Sequence, residues 1–319
     1  MKMVFMTILR AWGSAVAIGV LLLMAACGSP GATPAAGGQP SRLKIVVAFY
    51  PFQYVAERLA GPFGDVQSLT QPGAEPHDLE LSPRQVAEIA GADLVVYEHS
   101  FQPAVDAAVE QVGNDHVLDT TSVVPLQPLQ QSQSQPGTTG EGPSHGALDP
   151  HVWLEPTNMV RIATAVAARL AAADPAHKTD FEANLAMLTG DLGSLDRSFT
   201  QGLKTCARQQ FITSHAAFGY LARRYGLEQI AVGGLSPDTE PSPARIAEVQ
   251  DAARRYRVTT IFYETLVSPA VAKSIAGDLG LRTDVLDPIE GITDQSRGSD
   301  YLAVMRSDLA SLQKANECR

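Results

Sequence analysis

Apolar residues run almost unbroken over 43–49, from Leu43 to Phe49, and predict a strand buried on both faces. Pro51 then opens a helix that stops at Gly61. Strands are predicted over 65–70, 93–97 and 116–118. Helices are predicted from Ser82-Pro83, with Val86, Ile89 and Ala90 on one face, and over 103–112. The alternation stops at 125–147, a run of Gln, Ser, Pro, Gly and Thr that cannot bury a core and reads as a variable surface loop. Pro156 starts the next helix, with Ile162, Val166 and Leu170 inward. After Asp174-Pro175, the residues Phe181, Leu185, Leu188, Leu192, Leu195, Phe199 and Leu203 recur at steps of three and four. A helix over 175–204 would be about 45 Å long at 1.5 Å per residue, wider than one small domain. The second half repeats the first: strands over 210–214, 228–232, 259–263 and 282–286 alternate with helices over 217–225, 243–256, 269–279 and 301–316. The predicted fold class is therefore α/β, with two lobes, each a parallel sheet flanked by helices, joined by one long rigid linker helix. The expected organisation is a lobe over 42–174, the linker helix over 175–204 and a second lobe over 205–319.

The first residues belong to another kind of segment. Lys2 and Arg10 precede an apolar run over 15–26, the pattern of a signal peptide over 1–26. Met24-Ala25-Ala26-Cys27 resembles a bacterial lipoprotein signal, which implies lipidation of Cys27 and a flexible tether over 27–41. A plain signal with an incidental Cys27, or an uncleaved anchor, is the alternative. The remaining cysteines, Cys206 and Cys318, predict one disulfide in an exported protein, tying the start of the second lobe to the end of the chain. Two free thiols are the other reading.

Composition narrows the partners. With 45% hydrophobic and 18% charged residues among 319, the chain can bury two cores. The formal net charge is −10 and no basic face is visible, so nucleic acid is not an expected partner.

In open parallel sheets, ligands bind beyond the carboxyl ends of the strands. The metal-competent residues at such places are His77 after the second strand, His99 after the third and His151 in Leu148-Asp149-Pro150-His151-Val152-Trp153. In the second half they are His215 after Phe211-Ile212-Thr213-Ser214, Glu264 after Ile261-Phe262-Tyr263, and Asp287 in Asp287-Pro288-Ile289-Glu290-Gly291. Three imidazoles and one carboxylate suit a tetrahedral, borderline-soft cation. Each histidine taken singly could as well be a surface or capping residue. His99 could be a rim residue, and Glu75 or Glu264 a support for a ligand histidine.

Three stretches together resemble the zinc- and manganese-binding lipoproteins of bacterial ABC importers, the cluster A-I solute-binding proteins. They are 72–81 around His77, 148–156 around His151, and Thr213-Ser214-His215-Ala216-Ala217-Phe218-Gly219-Tyr220. Phe262-Tyr263-Glu264 and Leu286-Asp287-Pro288 match two further landmarks. The resemblance implies metal ligands His77, His151, His215 and Asp287 in a cleft between the lobes, two from each. It implies Zn(II) as the transported ion, since manganese members carry a carboxylate where His215 stands; Asp287 leaves Mn(II) open. It further implies an ABC permease and its ATPase as partners, a lipid anchor on the extracytoplasmic face of the cell membrane, and a binding protein rather than an enzyme, with a monomer expected. Many zinc members have a His-rich variable loop, whereas this one holds only His145 and Glu141. Two readings of another class compete. An exported zinc hydrolase would use Glu75 or Glu264 as base, although His-Glu-x-x-His is absent. An adhesin would use the same fold on the cell surface.

Overall fold

The computed structural model describes residues 42–113, 115–129 and 148–319. The signal segment, Cys27, the tether and loop residues 130–147, with His145 and Glu141, lie outside them. Among the described residues no helix is long and apolar enough to cross a membrane.

The first half builds a four-stranded parallel sheet in the order β2-β1-β3-β4, from β1 (Leu43–Val47), β2 (Gly64–Ser68), β3 (Leu94–Tyr97) and β4 (Val117–Asp119). Helices α1 (Tyr50–Ala60), α2 (Pro83–Ala90) and α3 (Pro103–Val112) are its connections. Every residue of β3 is buried, as a strand covered on both faces requires. The helix starts follow local chemistry: Pro51 lies in the first turn of α1, and Ser82 and Gln85 form a reciprocal capping box ahead of Pro83.

A short antiparallel pair, β5 (Gln127–Pro128) with β6 (Leu148–Asp149), flanks the variable loop. This pair is too brief to leave a periodic signal in sequence. A single 3-10 turn at Val152–Leu154 and α4 (Pro156–Ala173) follow. The long helix expected over 175–204 is present as α5 (Lys178–Gly202), 25 residues and so about 37 Å. It is shorter than the periodicity suggests because 175–177 form a 3-10 turn, with the Asp174 carboxylate 2.6 Å from His177 Nδ1. Its buried stripe is Phe181, Leu188, Leu192, Leu195 and Phe199.

The second sheet has the order β10-β9-β7-β8, all parallel, from β7 (Gln210–Thr213), β8 (Glu228–Ala231), β9 (Thr260–Tyr263) and β10 (Arg282–Val285). Its connections are α6 (Gly219–Tyr225), α7 (Pro243–Tyr256) and α8 (Ala270–Leu279), and α9 (Tyr301–Asn316) closes the chain. Gly226 and Gly280 end α6 and α8 at φ 71° and 66°, the left-handed region that glycine enters without penalty. Strand alternation divides the core. Phe211 and Phe262 face the main core with α5 and α9, while Ile212 and Ile261 face a smaller core under α7 and α8. A Cys206–Cys318 disulfide joins the segment after α5 to the chain end, closing a span of 112 residues. Cross-links of that span typically stabilise by about 2–5 kcal/mol.

Candidate metal centre

Loops from the carboxyl ends of both sheets meet at one buried point. His77 arrives on the loop after β2, which Gln102 secures by donating to Thr70 Oγ1 and Pro76 O, each at 3.0 Å. His151 follows β6 and leads into the 3-10 turn. His215 follows β7 directly. The fourth group is Glu290, five residues past β10. One donor atom from each of these four residues lies within 4.8 Å of every other.

The distances centre on Glu290 Oε1. It lies 3.4 Å from His77 Nε2, 3.3 Å from His151 Nε2 and 3.5 Å from His215 Nε2. Those are long for hydrogen bonds. They match the edges of a tetrahedron whose centre is about 2.0–2.1 Å from each corner, the usual bond length of four-coordinate zinc to nitrogen or oxygen. His151 Nε2, His215 Nε2 and Glu290 Oε2 are buried without a hydrogen-bond partner among the described residues. Buried polar atoms of native proteins are nearly always satisfied, so three orphans at one point mark a ligand-binding site.

The outer sides of two rings are fixed by carboxylates. Asp149 Oδ1 is 2.9 Å from His151 Nδ1 and accepts the His151 backbone N–H at 3.0 Å. Glu264 Oε1 is 2.7 Å from His215 Nδ1 and also accepts from the Ser214 hydroxyl at 2.9 Å. With a proton held on Nδ1, each Nε2 lone pair is turned to the centre. Glu264 thus takes the supporting position. Glu75 sits near His77 instead: its Oε1 accepts the His77 N–H at 3.1 Å and lies 3.9 Å from Nε2. Burial pushes the Glu75 carboxyl up despite its histidine neighbour. His99 does not join: its side chain is exposed, with Nδ1 3.2 Å from Asp106.

Proton affinities follow from this crowding. Burial alone would lower both inner histidines. For His151, the Asp149 and Glu290 carboxylates facing the ring outweigh it and raise the pKa. For His215, Glu264 and then Glu290 push it up to about 10. Glu290 moves the opposite way: burial would raise it, but the three imidazoles around it hold it well below the usual carboxylate range.

Asp287, expected at the centre, is placed elsewhere. Its Oδ1 accepts from Ile289 N–H at 2.9 Å, and its Oδ2 accepts from the Thr265 and Ser296 hydroxyls, each at 3.1 Å. Both oxygens are therefore committed, and Glu290, three residues on, is the carboxylate that meets the histidines. The two are close in sequence, but Ile289 between them has φ 59°, and this turn decides which one points inward. An acidic residue just before Gly291 was the available signal for Glu290. For Asp149 it was the Asp-Pro-His spacing, which lets a side chain accept from the backbone two residues on.

The model of one family, zinc-uptake complex component A, periplasmic, matches residues 45–315. The chain belongs to this family. Among its relatives is the zinc-binding lipoprotein AdcA of Streptococcus pneumoniae (strain ATCC BAA-255 / R6), 35% identical over 281 residues, covering 86% of this chain and 56% of AdcA. The chain thus spans little more than half the length of that relative. It is 32% identical over 297 residues to the high-affinity zinc uptake system protein ZnuA of Bacillus subtilis, covering 92% of this chain and 93% of the relative. The crystal structure of the Zn(II)-bound ZnuA-like domain of S. pneumoniae AdcA aligns with a TM-score of 0.73 at 34% identity, over 86% of this chain and 99% of that domain. Two parallel sheets flanked by helices are thus shared with solved members of the zinc-uptake family.

Proposed function

We propose that this protein is the extracytoplasmic zinc-binding subunit of an ABC metal importer, which captures Zn(II) and hands it to a membrane permease. The observation that carries the reading is the convergence of three histidine Nε2 atoms on Glu290 Oε1 at 3.3–3.5 Å. His77, His151, His215 and Glu290 are the ligands in this reading, and Zn(II) is the cargo. Two ligands come from each lobe, 42–174 and 205–319, with α5 as the stiff connection. Three imidazoles favour zinc over manganese, which prefers harder oxygen donors. A family match to a zinc-uptake component and relatives named as zinc-binding proteins support the same conclusion. A catalytic zinc centre keeps an open position for water; four protein donors here fill a tetrahedron, which supports capture rather than hydrolysis. A permease with its ATPase would be the receiver, the protein acting as a monomer. Lipidation at Cys27 would hold it at the outer face of the cell membrane.

Dialysis of purified protein against zinc, followed by metal analysis, tests the reading. One tightly held zinc per chain is expected, with loss on His151→Ala or His215→Ala. Absence of tight, stoichiometric uptake would sink it.

A further inference from the structure

We infer that Asp287 is a positioning residue, which shapes the turn that aims Glu290 at the three histidines and does not itself bind the ion. The inference rests on the reading of His77, His151, His215 and Glu290 as the metal site.

Three consecutive residues before Glu290 are each held by a hydrogen bond. The Asp287 N–H donates to Asp308 Oδ1 at 3.0 Å, Pro288 O accepts from Trp153 Nε1 at 2.7 Å, and the Ile289 N–H donates to Asp287 Oδ1 at 2.9 Å. The last of these closes a tight turn in which Ile289 has φ 59°, a conformation that a β-branched side chain resists. Such a conformation persists only where its surroundings over-determine it. Asp287 supplies three of the contacts that do so. Its Oδ2 takes the hydroxyls of Thr265, just after β9, and of Ser296, on the far side of the loop. One side chain therefore ties the turn to two other segments, and 2% of its surface is exposed. To become a ligand it would have to release three donors. Without it, Ile289 is free to return to negative φ, and the Glu290 carboxylate turns away from the centre.

The test is a double-mutant cycle on the full mature chain, with zinc affinity read by competition against a chromophoric chelator. Asp287→Ala is expected to weaken zinc by about 10–100-fold in the native background, the usual effect of losing a ligand's support. In a Glu290→Gln background the same substitution is expected to change affinity by less than about twofold, because the group it acts through is gone. Asp287→Asn keeps an acceptor for Ile289 N–H and is expected to recover binding to within about fivefold of the native chain. If Asp287→Ala does not fold, Thr265→Val with Ser296→Ala carries the cycle, with a smaller loss that again vanishes in Glu290→Gln. Equal losses in both backgrounds, or an Asn variant as damaged as the Ala variant, would overturn the proposal and leave the site reading standing. A Glu290→Gln protein that binds zinc like the native chain would overturn both.

Discussion

His151 and His215 are each held by a carboxylate at ring Nδ1, whereas His77 is held chiefly through its backbone. The first two are buried, and Asp149 and Glu264 sit at 2.9 and 2.7 Å from their Nδ1 atoms. His77 has 10% of its side chain exposed and takes its carboxylate contact through the N–H that donates to Glu75. Its ring rests edge-on against Phe101 at 4.6 Å, an apolar contact that shapes the space without fixing a proton. Two imidazoles and Glu290 thus form a preset wall, and the His77 loop supplies the side nearest to solvent.

The largest expected effect comes from removing a ring from the preset wall. His151→Ala and His215→Ala should each weaken zinc by more than the roughly 100-fold upper range for supporting groups. His77→Ala should cost less than either and should speed zinc dissociation more than it slows association. Stopped-flow exchange with a fluorescent chelator checks this; equal rate changes in all three variants would erase the distinction between wall and loop. Next come the supports: Asp149→Asn and Glu264→Gln should lower affinity by about 10–100-fold, since a neutral amide no longer raises the basicity of the ring it holds. Isothermal titration against a competing chelator reads that loss.

Proton linkage separates the two regions further. In the metal-free protein the raised pKa of His215, about 10, keeps this ring protonated at neutral pH, and His151 is shifted the same way. Zinc must displace those protons, so affinity should rise with pH by about tenfold per pH unit for each proton lost, over the range below 10. The stability of the metal-free protein should move oppositely. Raised histidines stabilise fully below their unfolded value of about 6.5, and this is lost as pH rises through the folded value. Glu290, held low, stabilises above the ordinary carboxylate pKa and loses that as pH falls through its folded value. The melting-temperature gain on adding zinc should therefore grow from pH 6 to pH 9. A flat gain would contradict the protonated wall. The smallest effect belongs to Glu75→Gln, which leaves an acceptor for the His77 N–H and should change zinc affinity by no more than about threefold.

Much of this architecture was legible because local chemistry announces it. Ser82-Pro83 and Ser242-Pro243 begin α2 and α7 with caps that work over three residues, and Gly226 and Gly280 end α6 and α8. His77 and His215 were visible because parallel strands deliver their following loops to one edge. The long helix was readable from its stripe, although its first turn tightened around Pro175. The fourth carboxylate was not readable. Asp287 and Glu290 are chemically alike and three residues apart, and the choice between them depends on Thr265, Ser296 and Asp308, which are remote in sequence. Asp149 left a signal in the Asp-Pro-His spacing, but its two contacts with His151 show themselves only once the turn is folded.

The central claim is a four-donor site of three imidazoles and Glu290 that selects zinc. Competition between Zn(II) and Mn(II) for the native chain, read by metal analysis after equilibrium dialysis, tests it most directly. One zinc per chain should be retained in the presence of excess manganese, and Glu290→Gln should lose most of that retention. Manganese occupancy at comparable concentrations, or zinc retention unchanged by Glu290→Gln, would contradict the account.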